Sequence, residues 1–451
     1  MLATIVSLIL SACGGGSGTT SNPPVNEPPP LQPTSGIVGL VITDKPSHEF
    51  SAIKLDVVQA ILIGGDGQKL LFEGPRQINL LDLTNYSEPV LFERVEAGTY
   101  TKLRLHIDNL ELVSLDGSES WFPKLPANGK VDLLDQDGFA VLPGRTMIIE
   151  VDIDANKSIK VTGNGNGKYQ FRPVVKVDIL DGGLQDKLAR LEGFVAETYD
   201  DPAGSFLVCH AIEIDNCITV HTGMGTSVFD MDGAPTDITS LMVDDPVVVI
   251  GRYNWDDSSN SDIWLDAIIV EIGGNAVQIK GNVVSDPANN EFLLQKYDET
   301  SLVVELQDGT RFFDPTGEVG PDSIVLGTDV EVEGVMPAVG EGESARIRAA
   351  LVFVMPEDAD QASGTIADEP DAATRSFMLT PEGGGNDICV NVADEASVLL
   401  VNVGASEVLT GTFDDLAMDQ LVDLFGQAPD AEDGCFLADE IIVEVTGGGG
   451  P

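Results

Sequence analysis

The chain has 451 residues, 43% of them hydrophobic, which excludes a globally disordered polymer and is too long for one small core. Lys and Arg number 24 against 74 Asp and Glu, a net charge of −50, so the surface repels nucleic-acid phosphates and anionic membranes and attracts cations. Forty-eight glycines, twenty-five prolines and many short Val/Ile/Leu runs, with little helical periodicity, predict an all-β protein of about two to four domains.

The first stretch reads MLATIVSLILSACGGGSG. Residues 2–10 are too short to cross a bilayer, which takes about 20 apolar residues, but have the length of a signal-peptide core. Leu10-Ser11-Ala12-Cys13 then resembles the lipobox of bacterial lipoproteins. That resemblance implies removal of residues 1–12 and a membrane partner through a lipid anchor, with Cys13 acylated as the new N-terminus. Two or more acyl chains hold a protein stably where one holds it marginally. By the same resemblance, Gly14 in place of Asp implies the outer membrane of a Gram-negative cell. No Lys or Arg precedes the apolar run, a departure that a start codon assigned too far downstream accounts for. Residues 13–35 are expected to be a tether, since GGGSGTTSNPPVNEPPPLQPT holds six prolines and cannot pack a core.

Residues 36–182 alternate apolar and polar positions, as half-buried strands do. Ile53, Leu55 and Val57 form one face of IKLDV; Leu103, Leu105 and Ile107 form one face of LRLHID; Ile149, Val151 and Ile153 do the same in MIIEVDID. Turn signals at 64–67 and 115–117 fit an antiparallel β-sandwich. GLVITDKP (39–46), EAGTYTKLRLHID (96–108), VDIDANKS (151–158) and GKYQFRPVVKVDI (167–179) resemble domain-of-unknown-function family 4382, whose members are often bacterial lipoproteins. The resemblance supplies no activity. Asp152, Asp154, Asn156 and Ser158 open like a calcium loop, but Lys157 takes the turn-glycine place and Gly163 offers no carboxylate. The two aspartates read as the wet face of a strand.

From Leu191 a second pattern runs three times. LEGFVAE (191–197), IKGNVVS (279–285) and ASGTIAD (362–368) open the repeats. PVVVIGRY (246–253), DVEVEGVM (329–336) and QLVDLFGQ (420–427) carry a later glycine, and WLDAIIVE (264–271), RIRAALVF (346–353) and FLADEIIV (436–443) close them around alanine. Repeats at 188–273, 276–357 and 361–448 are long enough for separate cores, and glycines at strand bends predict small OB-like β-barrels. The blocks also resemble domain-of-unknown-function family 5666. The expected fold is therefore an N-terminal antiparallel sandwich followed by three OB-like barrels, strung out from the membrane.

Residues 190–451 hold 8 Lys and Arg against 51 Asp and Glu, a net of −43, which tells against nucleic acid as a partner. An oligosaccharide remains open, with Trp255 in YNWDDSSNSD as the exposed aromatic candidate, whereas Trp264 in the closing strand reads as core. Asp256, Asp257, Asn260 and Asp262 make that loop the best candidate for Ca²⁺. Cys209, Cys217, Cys389 and Cys435 allow three pairings, of which proximity favours 209–217 with 389–435 in an oxidising compartment. No catalytic triad context or other acid–base–nucleophile pattern occurs, so no cofactor and no enzyme activity are expected. The leading expectation is a binding or scaffolding envelope protein, and the alternative is a glycan- or Ca²⁺-binding accessory lipoprotein.

Overall fold

A computed structural model describes residues 34–44, 50–65, 67–134, 138–161, 169–180, 188–198, 204–210, 217–255, 263–338, 340, 344–355, 360–382, 384–402, 407–429 and 434–445. The class is all-β, as the composition predicts. The first domain opens with β1 (Ser35–Thr43), β2 (Phe50–Gly64), β3 (Gly67–Asn79), β4 (Tyr86–Glu96), β5 (Gly98–Ser114) and β6 (Ser120–Trp121). It continues with β7 (Lys130–Leu134), β8 (Phe139–Val141), β9 (Thr146–Ile153), β10 (Ile159–Val161), β11 (Tyr169–Phe171) and β12 (Val175–Leu180).

Two layers follow from the alternation. One has the order β12-β9-β1-β4 and the other β7-β5-β2-β3. Their apolar faces meet in one core, with Ile149, Val151 and Ile153 of β9 on one side and Ile53, Leu55 and Val57 of β2 with Leu103, Leu105 and Ile107 of β5 on the other. One pair departs from the expected antiparallel pattern. β1 runs parallel to β9, from Ile37 opposite Thr146 to Thr43 opposite Asp152. The turn before β9 explains this, because Ile37 N–H donates to Arg145 O (2.9 Å) and Gly144 N–H to Ser35 O (2.9 Å), so both strands start from the same end.

The three repeats have one pairing order. Ring 1 uses β13 (Leu188–Thr198), β14 (Phe206–Cys209), β15 (Cys217–His221), β16 (Ser227–Phe229), β17 (Pro246–Trp255) and β18 (Ile263–Ile272). Ring 2 uses β19 (Ala276–Val283), β20 (Glu291–Lys296), β21 (Ser301–Asp314), β22 (Gly317–Glu318), β23 (Asp329–Val335) and β24 (Arg346–Val354). Ring 3 uses β25 (Asp360–Ile366), β26 (Ser376–Pro381), β27 (Ile388–Asn402), β28 (Glu407–Gly411), β29 (Leu421–Gln427) and β30 (Phe436–Glu444). In ring 2 the pairing closes on itself as β19-β20-β21-β24-β23-β19, with β21 and β24 parallel and every other step antiparallel. Ring 3 closes in the same order. Ring 1 does too, with β15 and β16 together filling the third place.

The repeated glycines and alanines meet at the closure. Gly251 pairs with Ala267, Gly334 with Ala349 and Gly426 with Ala438, each beside a register shift in the same strand. A β-carbon on Gly334 would lie 2.0 Å from Arg348 O, and one on Gly426 1.9 Å from Leu437 O. Only glycine lets the two backbones approach so closely.

The modules are not beads on a string. β13 continues the first domain's sheet by running parallel to β4, with Leu188 opposite Tyr86. β28 runs parallel to β7, with Glu407 opposite Asp132 and Leu409 opposite Leu134. The first domain's core includes Leu399, Val401, Val408 and Ile442 of ring 3. Charge joins them as well. Arg172 pairs with Asp423 (3.0 Å) and Glu444, and Lys157 with Glu440 (2.9 Å) while lying over the Phe425 ring. The less acidic first domain supplies the cations that the acidic rings lack.

Candidate functional site

Ionisable side chains converge where the first domain, ring 1 and ring 2 meet. The turn Leu80–Leu83 and the start of β4 bring Asp82, Asn85 and Tyr86; β13 brings Arg190, β18 Glu271, β19 Lys280, and β23 both Glu331 and Glu333. Period-2 geometry puts Glu331 and Glu333 on one face of β23 while Val330 and Val332 enter the ring 2 core. That opposite face would normally be wet. Here it is covered, and Glu331 and Glu333 are 0% exposed and Glu271 1%.

Arg190 grips Glu333 in a bidentate pair, Nη2 at 3.1 Å and Nε at 3.3 Å. Lys280 Nζ donates to Thr84 Oγ1 (2.6 Å) and to Leu81 O, and stands 3.9 Å from Glu331. Asn85 Nδ2 donates to Glu331 Oε2, and Asn79 Nδ2 to Asp82 Oδ1 (2.8 Å). An apolar patch drawn from the same three modules, including Tyr86, Phe229, Ile269, Phe313 and Leu351, adjoins the cluster.

Burial sets the proton affinities. It raises Asp82 above the usual carboxylate range, pushes Glu331 to about 7, and drives Glu271 well above 4.5, with the Glu333 charge adding to the effect on Glu271. Burial also raises the Tyr86 phenol. It disfavours the Arg190 charge, but Glu333 more than offsets this and Arg190 stays a cation. No donor among the described residues reaches either Glu271 oxygen. Its carboxylate neighbour Glu333 can share a hydrogen bond only when one of the two carries a proton. An unpaired buried charge is costly, so Glu271 is held as the neutral acid. With almost no exposed surface, Glu271, Glu331 and Glu333 are out of reach of an external substrate; what they can do is hold or release protons.

A second feature is open. A cavity of about 620 Å³ lies on ring 1, lined by His221, Arg252, Tyr253, Asn254 and Asp266 among others, with Arg311 contributed by ring 2. Asp266 accepts from Trp264 Nε1 and Asn254 Nδ2, both at 3.0 Å, and His221 stacks on Trp264 with ring centroids 5.4 Å apart. Arg311 crosses from ring 2 to donate to Gly225 O.

Several predicted residues fall elsewhere. Cys13 and the loop residues Asp256, Asp257, Asn260 and Asp262 lie outside the described residues. Trp255 ends β17, half-buried against the ring 1 core, and Trp264, also half-buried, lies beside the cavity rather than in that core. Of the three possible cysteine pairings the structure has Cys209–Cys217 and Cys389–Cys435. Asp154 is buried rather than wet. It caps the short helix Ala155–Ser158 by accepting from Lys157 N (3.0 Å) and pairs with the Lys157 ammonium (2.9 Å). Among the described residues, no group of three or more His, Cys, Asp or Glu is placed to hold a metal ion, and no helix is long and apolar enough to cross a membrane.

Comparison with known families decides one point. Residues 35–173 match the family described as Domain of unknown function (DUF4382). The matched stretch covers the two-layered first domain up to β11, and Asp82, Asn85 and Tyr86 of the buried cluster lie within it. No curated protein matches the chain.

Sequence reasoning missed that cluster. Alternating DVEVEGV predicts glutamates in water, because periodicity cannot reveal a second buried face. A usable signal was scarcity. Only eight basic residues occur in 190–451, and both Arg190 and Lys280 stand at this seam.

Proposed function

We propose that the protein is a non-enzymatic lipoprotein of the bacterial envelope, fastened through Cys13 to the outer membrane, and that it works as a binding or scaffolding body. The observation that carries the reading is the fusion of modules: shared strand pairs β4–β13 and β7–β28, with cations of the DUF4382 domain clasping ring 3. Such construction favours a stiff block that presents several faces at the end of a tether. The ring pairing order suits small OB-like barrels and, with the matched sequence blocks, supports the likeness to domain-of-unknown-function family 5666. The charge of these rings tells against nucleic acid as the partner.

The test is metabolic labelling with a fatty-acid probe and mass spectrometry of the mature N-terminus, followed by cross-linking of the intact protein in envelopes. Acylated Cys13, and release of Cys13→Ser into the soluble fraction, support the reading. A mature chain that starts elsewhere or lacks acyl groups removes it. The cavity beside Trp264 favours a second reading, a glycan- or Ca²⁺-binding accessory lipoprotein. Blank glycan arrays and a melting temperature unmoved by millimolar Ca²⁺ would remove that one.

A further inference from the structure

We propose that the seam between the DUF4382 domain, ring 1 and ring 2 is a proton-operated latch, closed while Glu271 and Glu331 carry protons and forced toward opening when they lose them. The argument is first a balance of charge. The groups facing the seam are Asp82 from the turn Leu80–Leu83, Tyr86 from β4, Arg190 from β13, Glu271 from β18, Lys280 from β19, and Glu331 and Glu333 from β23. Four carboxylates face two cations. Arg190 is held by Glu333 and also donates Nη1 to the exposed Glu192 on its own strand (3.2 Å), which adds a further carboxylate to the count, and Lys280 directs its short bonds to Leu81 O and Thr84 Oγ1 rather than to Glu331. Glu271 has no donor at all among the described residues. Fully ionised, the seam would enclose two surplus negative charges, and nearly dry surroundings leave them poorly screened.

Location decides what that repulsion does. Glu271 belongs to ring 1 and Glu333 to ring 2, while the Asn85–Glu331 bond joins the DUF4382 domain to ring 2. The strain therefore acts across module boundaries, and parting the modules relieves it without unfolding any ring. Parting also bares Tyr86, Phe229 and Phe313, which are apolar and buried in the closed form.

The proton affinities agree with this placement. Glu331 releases its proton near 7 and Glu271 above the ordinary carboxylate range, whereas exposed carboxylates release theirs near 4. Both folded values are raised, so the stabilisation is complete below about 4.5 and is lost as pH climbs through about 7 for Glu331 and through the raised value of Glu271. A proton held at about 7 in the fold and 4.5 in the unfolded chain weakens folding ~300-fold across that interval.

The experiment compares the full chain with its Glu271→Gln/Glu331→Gln variant, whose amides imitate protonated acids that cannot titrate. Thermal unfolding and amide hydrogen exchange, corrected for intrinsic exchange rates, are followed from pH 5.5 to 9. The wild type should lose stability with rising pH and exchange faster in β18, β19 and β23 than in β29 and β30. The variant should keep at pH 9 the stability it has at pH 5.5. Parallel pH profiles for the two proteins overturn the latch and assign the response to groups both retain, the four histidines among them; diverging profiles exclude those histidines as the source. Should the variant fail to fold, the wild-type exchange map decides alone. A pH response spread evenly over all three rings overturns the latch, and one confined to the seam supports it.

Discussion

Replacing Gly334 by Ala should be among the most damaging single-methyl changes in the protein. The added carbon would lie 2.0 Å from Arg348 O and 3.0 Å from the Ala349 α-carbon. Real β-carbons stay at least 3.0 Å from such atoms, so β23 and β24 must part by about 1 Å. Neither clashing atom belongs to a flexible side chain. Moving one strand pulls at the register shift between Glu333 and Gly334 and at the pairing that closes ring 2. Overpacking of this kind costs about 1–3 kcal/mol, and a backbone clash belongs at about 3 kcal/mol. Gly320→Ala is the control, because Gly320 has φ −98° and nothing within 4 Å of an added carbon. It should change stability by less than about 1 kcal/mol. Denaturant unfolding at constant slope measures both. A Gly334→Ala protein as stable as the wild type, or no worse than Gly320→Ala, would refute close backbone approach as the reason for the repeated glycine.

Arg172→Met removes the guanidinium, only 3% exposed, that pairs with Asp423 and Glu444, and should cost about 3 kcal/mol in denaturant unfolding; a loss below about 1 kcal/mol would count the pair as surface-like. Replacing both Cys389 and Cys435 by Ser reopens a 46-residue loop and should cost about 4 kcal/mol on loop entropy, against about 2.5 kcal/mol for the 8-residue loop of Cys209 and Cys217. Equal losses for the two pairs would show that chain entropy does not govern them. Lys157→Ala removes contacts to Asp154, Glu440 and the Phe425 ring, so proteolysis should reach ring 3 sooner than in the wild type.

What was legible depended on whether one face or two were buried. Leu103, Leu105 and Ile107 could be assigned inward because the other face keeps water contact, partly at Lys102 and Arg104 and openly at Asp108. The glycine and alanine blocks marked where strands meet, and the structure pairs them across each closure. Glu331, Glu333 and Glu271 were illegible for the complementary reason. Their strands look half-wet on paper, and only the docking of another module turns the polar side into an interior. The parallel β1–β9 pair was equally hidden, since alternation is the same in both strand senses. Trp255 and Trp264 show the limit of local context: a polar neighbourhood in sequence did not keep Trp255 off the core.

One strand pair has a bearing on how the molecule is made. β7 belongs to the portion synthesised early, yet the neighbour that covers its edge, residues 407–411, comes close to the end of the chain. Until those residues have been synthesised, the early portion must wait with a bare strand edge, which invites association with other unfinished chains. Maturation is therefore a race between completion of the polypeptide and capture by neighbours, and a chain cut short after ring 2 would lose more than its tail.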